Sequence, residues 1–261
     1  MHCFIGFFGL TRSLRHTAAA VETGFYQPLR NSGIATVRAG HFNLPKVITN
    51  PRSGEFAIVP DRNDSALLGL DLCWIEPQNM AAVAHEYEIA RAFPDSFGDH
   101  YRSLGNLCLQ LHSLRRLWSL LELLGVQETD IVLLLRPDLL YLDSLNPTLH
   151  LAPLLEGRAD LIVPGWQNWG GLNDRLAFCS GRAARIYANR IKLFQEGCLR
   201  LGSMHAERFL KYVIDYHGLR VACTDLRAVR VRGNGRIAAN DAGMVCIQQP
   251  AAHRAHQAIS A

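Results

Sequence analysis

The tripeptide Arg136-Pro137-Asp138 is the strongest chemical signal in the chain. It follows the run Asp130-Ile-Val-Leu-Leu-Leu135, which has no polar residue inside it. Such a run reads as a central strand buried on both faces. A proline cannot continue a central strand, so Arg136 and Asp138 are expected at its carboxyl edge, on the rim of the core. A guanidinium there can form a fork of hydrogen bonds to phosphate oxygens. A carboxylate there can hold a hard divalent cation. The other reading is a strand-end salt bridge or turn cap. Three further groups have chemistry of interest. Gly9-Leu10-Thr11-Arg12 follows a first apolar run; glycine permits close backbone approach to a ligand, while an ordinary turn with a solvated arginine is the alternative. The segment from Trp166 to Arg175 combines Trp166, Trp169, Gly170-Gly171 and Asn173-Asp174-Arg175. Its plainer reading is a turn capped by Asn173 and Asp174, with Arg175 paired to Asp174. Arg227, Arg230, Arg232 and Arg236 form a late arginine cluster. On an alternating strand Arg230 and Arg232 share one face, which would meet an anion or simply guard a solvated edge.

The elements that must position these groups can be read from pattern. Cys3–Phe8 is a buried strand, and a helix follows to about Gly24. Ile34–Arg38 is a second strand. Pro45–Asp64 is rich in Pro, Asn, Asp, Gly and Ser and reads as a mobile loop. A helix is expected over Met80–Ala92. The clearest helix runs over 104–124, where Leu107, Leu111, Leu114, Trp118 and Leu121 recur at helical spacing. Asp160–Val163 is another strand. Ser180 is the cap of a helix running to Glu196 with Gly197 as its stop, and a second helix spans 203–217. Short strands follow at Arg220–Thr224 and Ala228–Arg232. Alternation of helices and strands predicts an α/β fold with a mostly parallel sheet covered on both faces. In such sheets ligands bind outside the carboxyl ends of the strands. That rule gathers Gly9–Arg12, Arg136–Asp138 and Trp166–Arg175 around one crevice.

Composition narrows the partners. The chain has 261 residues, and its net charge of +4 comes from 27 Lys+Arg against 23 Asp+Glu. This excess is too small, and too scattered, for a nucleic-acid surface. Arginine dominance suits an anionic small molecule. The seven cysteines form no C-x-x-C pair, so they read as buried thiols in a reducing, cytoplasmic setting. No apolar run reaches membrane-spanning length and no signal peptide is expected; Arg115 and Arg116 are too few to argue a lipid surface, and peripheral contact stays open. There is no G-x-S-x-G, H-E-x-x-H, P-loop or dinucleotide fingerprint. One domain over residues 1–249 with a flexible tail at 250–261 is expected.

Phe7-Phe8-Gly9-Leu10-Thr11-Arg12, Leu135-Arg136-Pro137-Asp138-Leu139 and Gly170-Gly171-Leu172-Asn173-Asp174-Arg175 occur in this order. Together they resemble bacterial and plant glycosyltransferase-like proteins of GT-A-like, nucleotide-diphospho-sugar transferase fold. The resemblance implies a nucleotide-diphospho-sugar donor, a saccharide acceptor and a role in cell-surface polysaccharide synthesis. In GT-A enzymes the strand-end motif is usually Asp-any-Asp, which holds Mg²⁺ or Mn²⁺ on the donor diphosphate. Asp138 matches its last Asp and Arg136 stands in place of the first. The resemblance thus leaves Asp138 as the one metal ligand, with the cation weak or absent, and gives Arg136 the charge of the leaving diphosphate. With the flat face of Trp169 and the shared face of Arg230 and Arg232 added from their own chemistry, the expected substrate contacts are Gly9, Thr11, Arg12, Arg136, Asp138, Trp169, Gly170, Gly171, Asn173, Arg175, Arg230 and Arg232. Asp174 is the candidate base for an acceptor hydroxyl. Two other functions fit the same crevice: a non-catalytic nucleotide- or sugar-binding module, and a sugar-phosphate nucleotidyltransferase, for which Gly9–Arg12 is a poor match.

Overall fold

The computed structural model describes residues 2–245. The expected tail at 250–261 and Cys246 lie outside the described residues. The strands are β1 (Cys3–Gly9), β2 (Thr36–Leu44), β3 (Ile48–Asn50), β4 (Glu55–Ile58), β5 (Leu72–Pro77), β6 (Ile131–Leu135), β7 (Leu139–Tyr141), β8 (Leu161–Pro164), β9 (Leu176–Ser180), β10 (Val221–Thr224) and β11 (Ala228–Arg230). Seven of them form the central sheet in the order β10-β8-β9-β6-β1-β2-β5. All neighbours run parallel except at β9, which is antiparallel to both β6 and β8. The fold is α/β with a mostly parallel sheet, as the alternation of elements predicts.

β1 and β6 form the dry centre of the sheet. Alternate side chains of a strand point to opposite faces. Cys3, Ile5, Phe7, Ile131, Leu133 and Leu135 therefore enter one apolar layer, and Phe4, Phe8, Val132 and Leu134 enter the other. The first layer is closed by α1 (Leu14–Val21), which continues through a π turn at Glu22–Tyr26 into α2 (Gln27–Asn31). The helical run thus passes Gly24, the expected stop, because Gly24 packs 3.5 Å, at its Cβ position, from Tyr141 and is buried.

The remaining helices are α3 (Ala84–Arg91), α4 (Arg102–Leu123), α5 (Pro147–His150), α6 (Ala152–Leu155), α7 (Gly181–Ala188), α8 (Phe194–Leu201), α9 (Ala206–Tyr216) and α10 (Ala242–Val245). The α4 stripe of Leu107, Leu111, Leu114, Trp118 and Leu121 is buried throughout. Its C-terminal half closes the second layer with α7 and α9. Full burial of each such side chain contributes about 1.5–3 kcal/mol, so this stripe fixes α4 against the sheet.

Several elements depart from the sequence reading. The expected loop 45–64 contains a hairpin of β3 and β4, because Glu55 and Ile48 have buried positions to fill. β5, β7 and β9 were not legible as strands. The helix expected over 180–196 is broken: Ser180 caps α7 through Ala183 N–H, a 3-10 turn follows at Arg190–Leu193, and Gly197 lies inside α8. Gly202, at φ 68°, is the actual stop.

Candidate functional site

Register places the expected groups on one rim. Phe7 pairs with Leu135, so Gly9 emerges beside Arg136-Pro137-Asp138. Leu135 also pairs with Leu176, and because β9 runs against β6 its start lies at that same edge. The connection 165–175 therefore leaves β8 and returns to β9 on the rim that carries Arg136. The late arginines arrive by a separate route. β11 pairs antiparallel with β7, and Val231 N–H donates to the Asp138 carbonyl at 2.8 Å. The turn itself is tied to α1, whose Thr17 hydroxyl donates to the Pro137 carbonyl at 2.7 Å.

Arg136 and Asp138 grip each other. Arg136 Nε and Nη2 donate to the two Asp138 oxygens at 2.9 and 2.8 Å, and Arg136 Nη1 donates to Gln110 Oε1 at 3.2 Å. Arg12 Nη2 reaches Asp138 Oδ2 at 3.4 Å. Burial alone would raise the Asp138 pKa, but Arg136, then Arg12 and Arg232, hold it well below the usual carboxylate range. Burial likewise opposes the charge on Arg136, and Asp138 more than offsets this, so its pKa rises. The strand-end salt bridge is thus present. A guanidinium has five N–H donors, and the three bonds above leave two of Arg136 uncommitted; its side chain is 19% exposed.

The pair belongs to a larger cluster. Arg12 also donates to Glu55 Oε2 at 3.2 Å. Gln110 Nε2 donates to Asp174 Oδ2 at 3.0 Å, and Arg190 lies 3.7 Å from the same oxygen. Asp241 accepts a fork from Arg230 at 2.9 Å on each side, and Arg175 stands 3.4 Å away. Arg232 faces Arg12, Arg230, Asp138 and Glu55. Six guanidiniums (Arg12, Arg136, Arg175, Arg190, Arg230, Arg232) meet four carboxylates (Glu55, Asp138, Asp174, Asp241), a surplus of two positive charges. The effect is legible on Arg175: burial and then the Arg230 charge push its pKa down to about 10. Burial and neighbouring Arg12 and Arg230 lower Arg232 as well.

Donors in this cluster also lack partners. Nine buried side-chain N or O atoms have no hydrogen-bond partner among the described residues, and six of them belong to Thr11, Arg12, Ser13, Arg190 and Arg232. Buried polar groups are ordinarily satisfied, so the concentration of unpartnered ones on these five residues sets them apart from the rest of the core.

A divalent cation does not fit these residues. Both Asp138 oxygens already face guanidiniums, and no group of three His, Cys, Asp or Glu side chains suited to a metal occurs among the described residues. The surrounding surplus is itself cationic.

The other expected contacts divide. Gly9 has φ 111°, a conformation that glycine adopts freely, and its N–H donates to Ser113 Oγ at 2.9 Å. Trp169 is 52% exposed at the tip of its loop, beside Gly170. Gly171 presses on α9: a Cβ there would stand 2.1 Å from the Glu207 carbonyl oxygen. Asn173 staples the loop, donating to the Trp166 carbonyl at 2.7 Å and accepting from Arg175 N–H at 2.9 Å. Arg175 pairs with Asp241 rather than with Asp174, and its guanidinium lies 5.3 Å from the Trp166 ring. Asp174 reaches Gln110 and Arg190, with a side chain only 5% exposed. Arg227 pairs with Asp143, away from the cluster. Glu55, Gln110, Arg190 and Asp241 were missed by sequence reasoning. The one usable sign was Gln110, a polar residue between Leu109 and Leu111 on the helix with the longest apolar stripe.

Two cavities lie elsewhere. One of 460 Å³ is lined by residues that include Met80, Tyr87, Tyr101 and Gly105, the other of 350 Å³ by residues that include Asn43, Glu76, His112 and Arg116. Arg136 and Asp138 line neither.

No family model matches the chain. No curated protein matches it. Solved structures do. Mouse xyloside xylosyltransferase 1 in its apo form is 12% identical over 85% of this chain and 84% of that one, with a TM-score of 0.40. The galactosyltransferase LgtC, in complex with donor and acceptor sugar analogs, is 12% identical over 85% and 73%, with a TM-score of 0.45. An active-site mutant of LgtC is 14% identical over 85% and 72%, with a TM-score of 0.43. No helix among the described residues is long and apolar enough to cross a membrane.

Proposed function

We propose that the chain is a glycosyltransferase of GT-A-like fold that takes a nucleotide-diphospho-sugar, with the diphosphate held by guanidiniums at the rim of β1 and β6. The observation that carries this reading is the cluster of six arginines against four carboxylates, with unpartnered buried donors on Thr11, Arg12, Ser13, Arg190 and Arg232. A diphosphate carries the charge that the surplus calls for, and guanidinium forks match its oxygens. In the transfer, the bond from the anomeric carbon to the phosphate oxygen breaks and its electron pair leaves with the diphosphate. Arg136 and Arg12 stabilise that developing charge, the kind of preorganised electrostatics that dominates many rate enhancements. The acceptor hydroxyl forms the new bond to the anomeric carbon, and its proton passes to Asp174. For Asp174 to accept it, Gln110 must swing aside, since a base has to stand within hydrogen-bond reach of its proton.

That last requirement favours a second reading, a nucleotide-sugar binder that does not transfer, because Asp174 is engaged by Gln110 and Arg190. A thermal-shift series with nucleoside diphosphates and nucleotide sugars, run with and without Mn²⁺, tests both. Binding is expected without the metal and is lost in Arg136→Ala and in Arg12→Ala. Unchanged shifts in both variants would remove the reading. Release of nucleoside diphosphate in the presence of saccharide acceptors separates the enzyme from the binder.

A further inference from the structure

The cluster already holds an anion that belongs to the chain. Glu55 is fully buried, although it sits on a hairpin that reads as loop in sequence. Its carboxylate accepts from Arg12 Nη1 at 3.2 Å, from Ser53 Oγ at 2.6 Å and from Gly233 N–H at 2.9 Å. Ser53 belongs to the same hairpin as Glu55, whereas the Arg12 guanidinium and the Gly233 N–H stay with the body of the protein and are donors that a phosphoryl group takes. Arg12 and Arg232 both face Glu55, and the Nε atoms of the two have no hydrogen-bond partner. A carboxylate with two oxygens and one charge leaves them unused. A phosphoryl group, with three oxygens and more charge, is able to engage them.

The hairpin that carries Glu55 is lightly built. β3 and β4 pair over few residues with an irregular register. Ala57 has φ 52°, a left-handed conformation that costs a non-glycine residue about 1 kcal/mol. Phe56, Val59 and Val47 face solvent at 64%, 71% and 50% exposure, so much of the hairpin's apolar surface contributes nothing to holding it down. Beyond Glu55 and Ser53, the ties among the described residues between the hairpin and the Gly233 turn include a bond from Asn234 Nδ2 to the Gly54 carbonyl at 3.2 Å and the packing of Ile58 against Gly233. Few buried contacts and strained backbone are the marks of a segment that opens locally at low free energy.

We propose that Glu55 is a resident competitor for the phosphate subsite: its carboxylate occupies the place of a ligand phosphoryl group, and the β3–β4 hairpin lifts as the phosphate displaces it. The proposal rests on the reading of the arginine cluster as an anion site and adds how that site is kept closed. A subsite open about one tenth of the time raises the apparent Kd about tenfold.

The test is calorimetric titration of the full chain with inorganic pyrophosphate, wild type against Glu55→Gln. The variant keeps the shape and removes the charge, so about tenfold tighter binding is expected. Equal or weaker binding in the variant, with clear binding in the wild type, overturns the latch and leaves the anion site standing. No binding in either protein overturns both. Should Glu55→Gln fail to fold, hydrogen exchange of the wild type decides: amides at 48–58 exchange faster at saturating pyrophosphate if the latch lifts, and exchange that is unchanged or slower overturns the proposal.

Discussion

Replacing Asp138 with asparagine separates structural and ligand roles of the strand-end pair. Asp138 makes two bonds to Arg136 at 2.9 and 2.8 Å and one to Arg12 at 3.4 Å, and its side chain is 6% exposed. Breaking a buried ion pair from one side costs about 3–5 kcal/mol. The asparagine side chain would keep one acceptor oxygen, and Arg136 retains some access to water, so we expect the low end, about 3 kcal/mol. In a chain of this size about 1 kcal/mol moves Tm by roughly 2–4 °C, which predicts a fall of about 6–12 °C. The substitution also raises the cluster's positive surplus from two charges to three. An anion should therefore stabilise the variant more than the wild type. A ligand at a hundred times its Kd adds about 2.7 kcal/mol, and the gap narrows by the amount by which the variant's gain exceeds that of the wild type. The assay is thermal unfolding of both proteins across a pyrophosphate series. Pyrophosphate that moves the two melting curves equally, or moves neither, would refute the reasoning and leave the pair as a tie between strand and turn.

Two other outcomes are expected. Gly171→Ala should cost about 3 kcal/mol, because its Cβ meets the Glu207 carbonyl oxygen at 2.1 Å and the loop must leave α9; a denaturant midpoint close to wild type would mean that the loop does not lean on α9. His41 is buried, with Nε2 3.3 Å from Glu76, and burial lowers its pKa to about 4, Glu76 opposing this while His112 and Arg116 add to it. The unfolded chain then takes up a proton that the native state refuses, so stability falls as pH drops from about 6.5 toward 4, by about 2 kcal/mol between pH 7 and pH 5. His41→Gln should flatten that slope in paired urea titrations, and parallel slopes would sink the assignment.

What was legible in sequence was what local pattern decides. β1, β6 and α4 declare themselves because each is an apolar run or stripe whose burial is complete. β5 escaped because Leu72–Pro77 is an edge strand with an exposed Trp74 and a mixed pattern. β9 escaped because its five residues follow directly on a loop and pair against the direction of their neighbours. In the candidate site, residues next to strand ends could be found by rule. Glu55 and Arg190 could not. Glu55 stands among turn-forming residues, and Arg12 and the Gly233 turn, far away in sequence, draw it inside. Arg190 is 1% exposed in its side chain, stacked 4.2 Å from the Tyr187 ring and facing Asp174. Its helix-like surroundings predict a solvated arginine; tertiary partners decide otherwise.

The reversal of β9 has an evolutionary corollary. Since β8 ends and β9 begins on the same rim, the segment between them is a closed excursion whose two feet are fixed by sheet pairing. Residues added around Trp169 and Gly170 would extend from the rim without altering any strand register. Variation in that excursion is the cheapest way for such a protein to remodel the surface around Trp169 while the sheet beneath stays as it is.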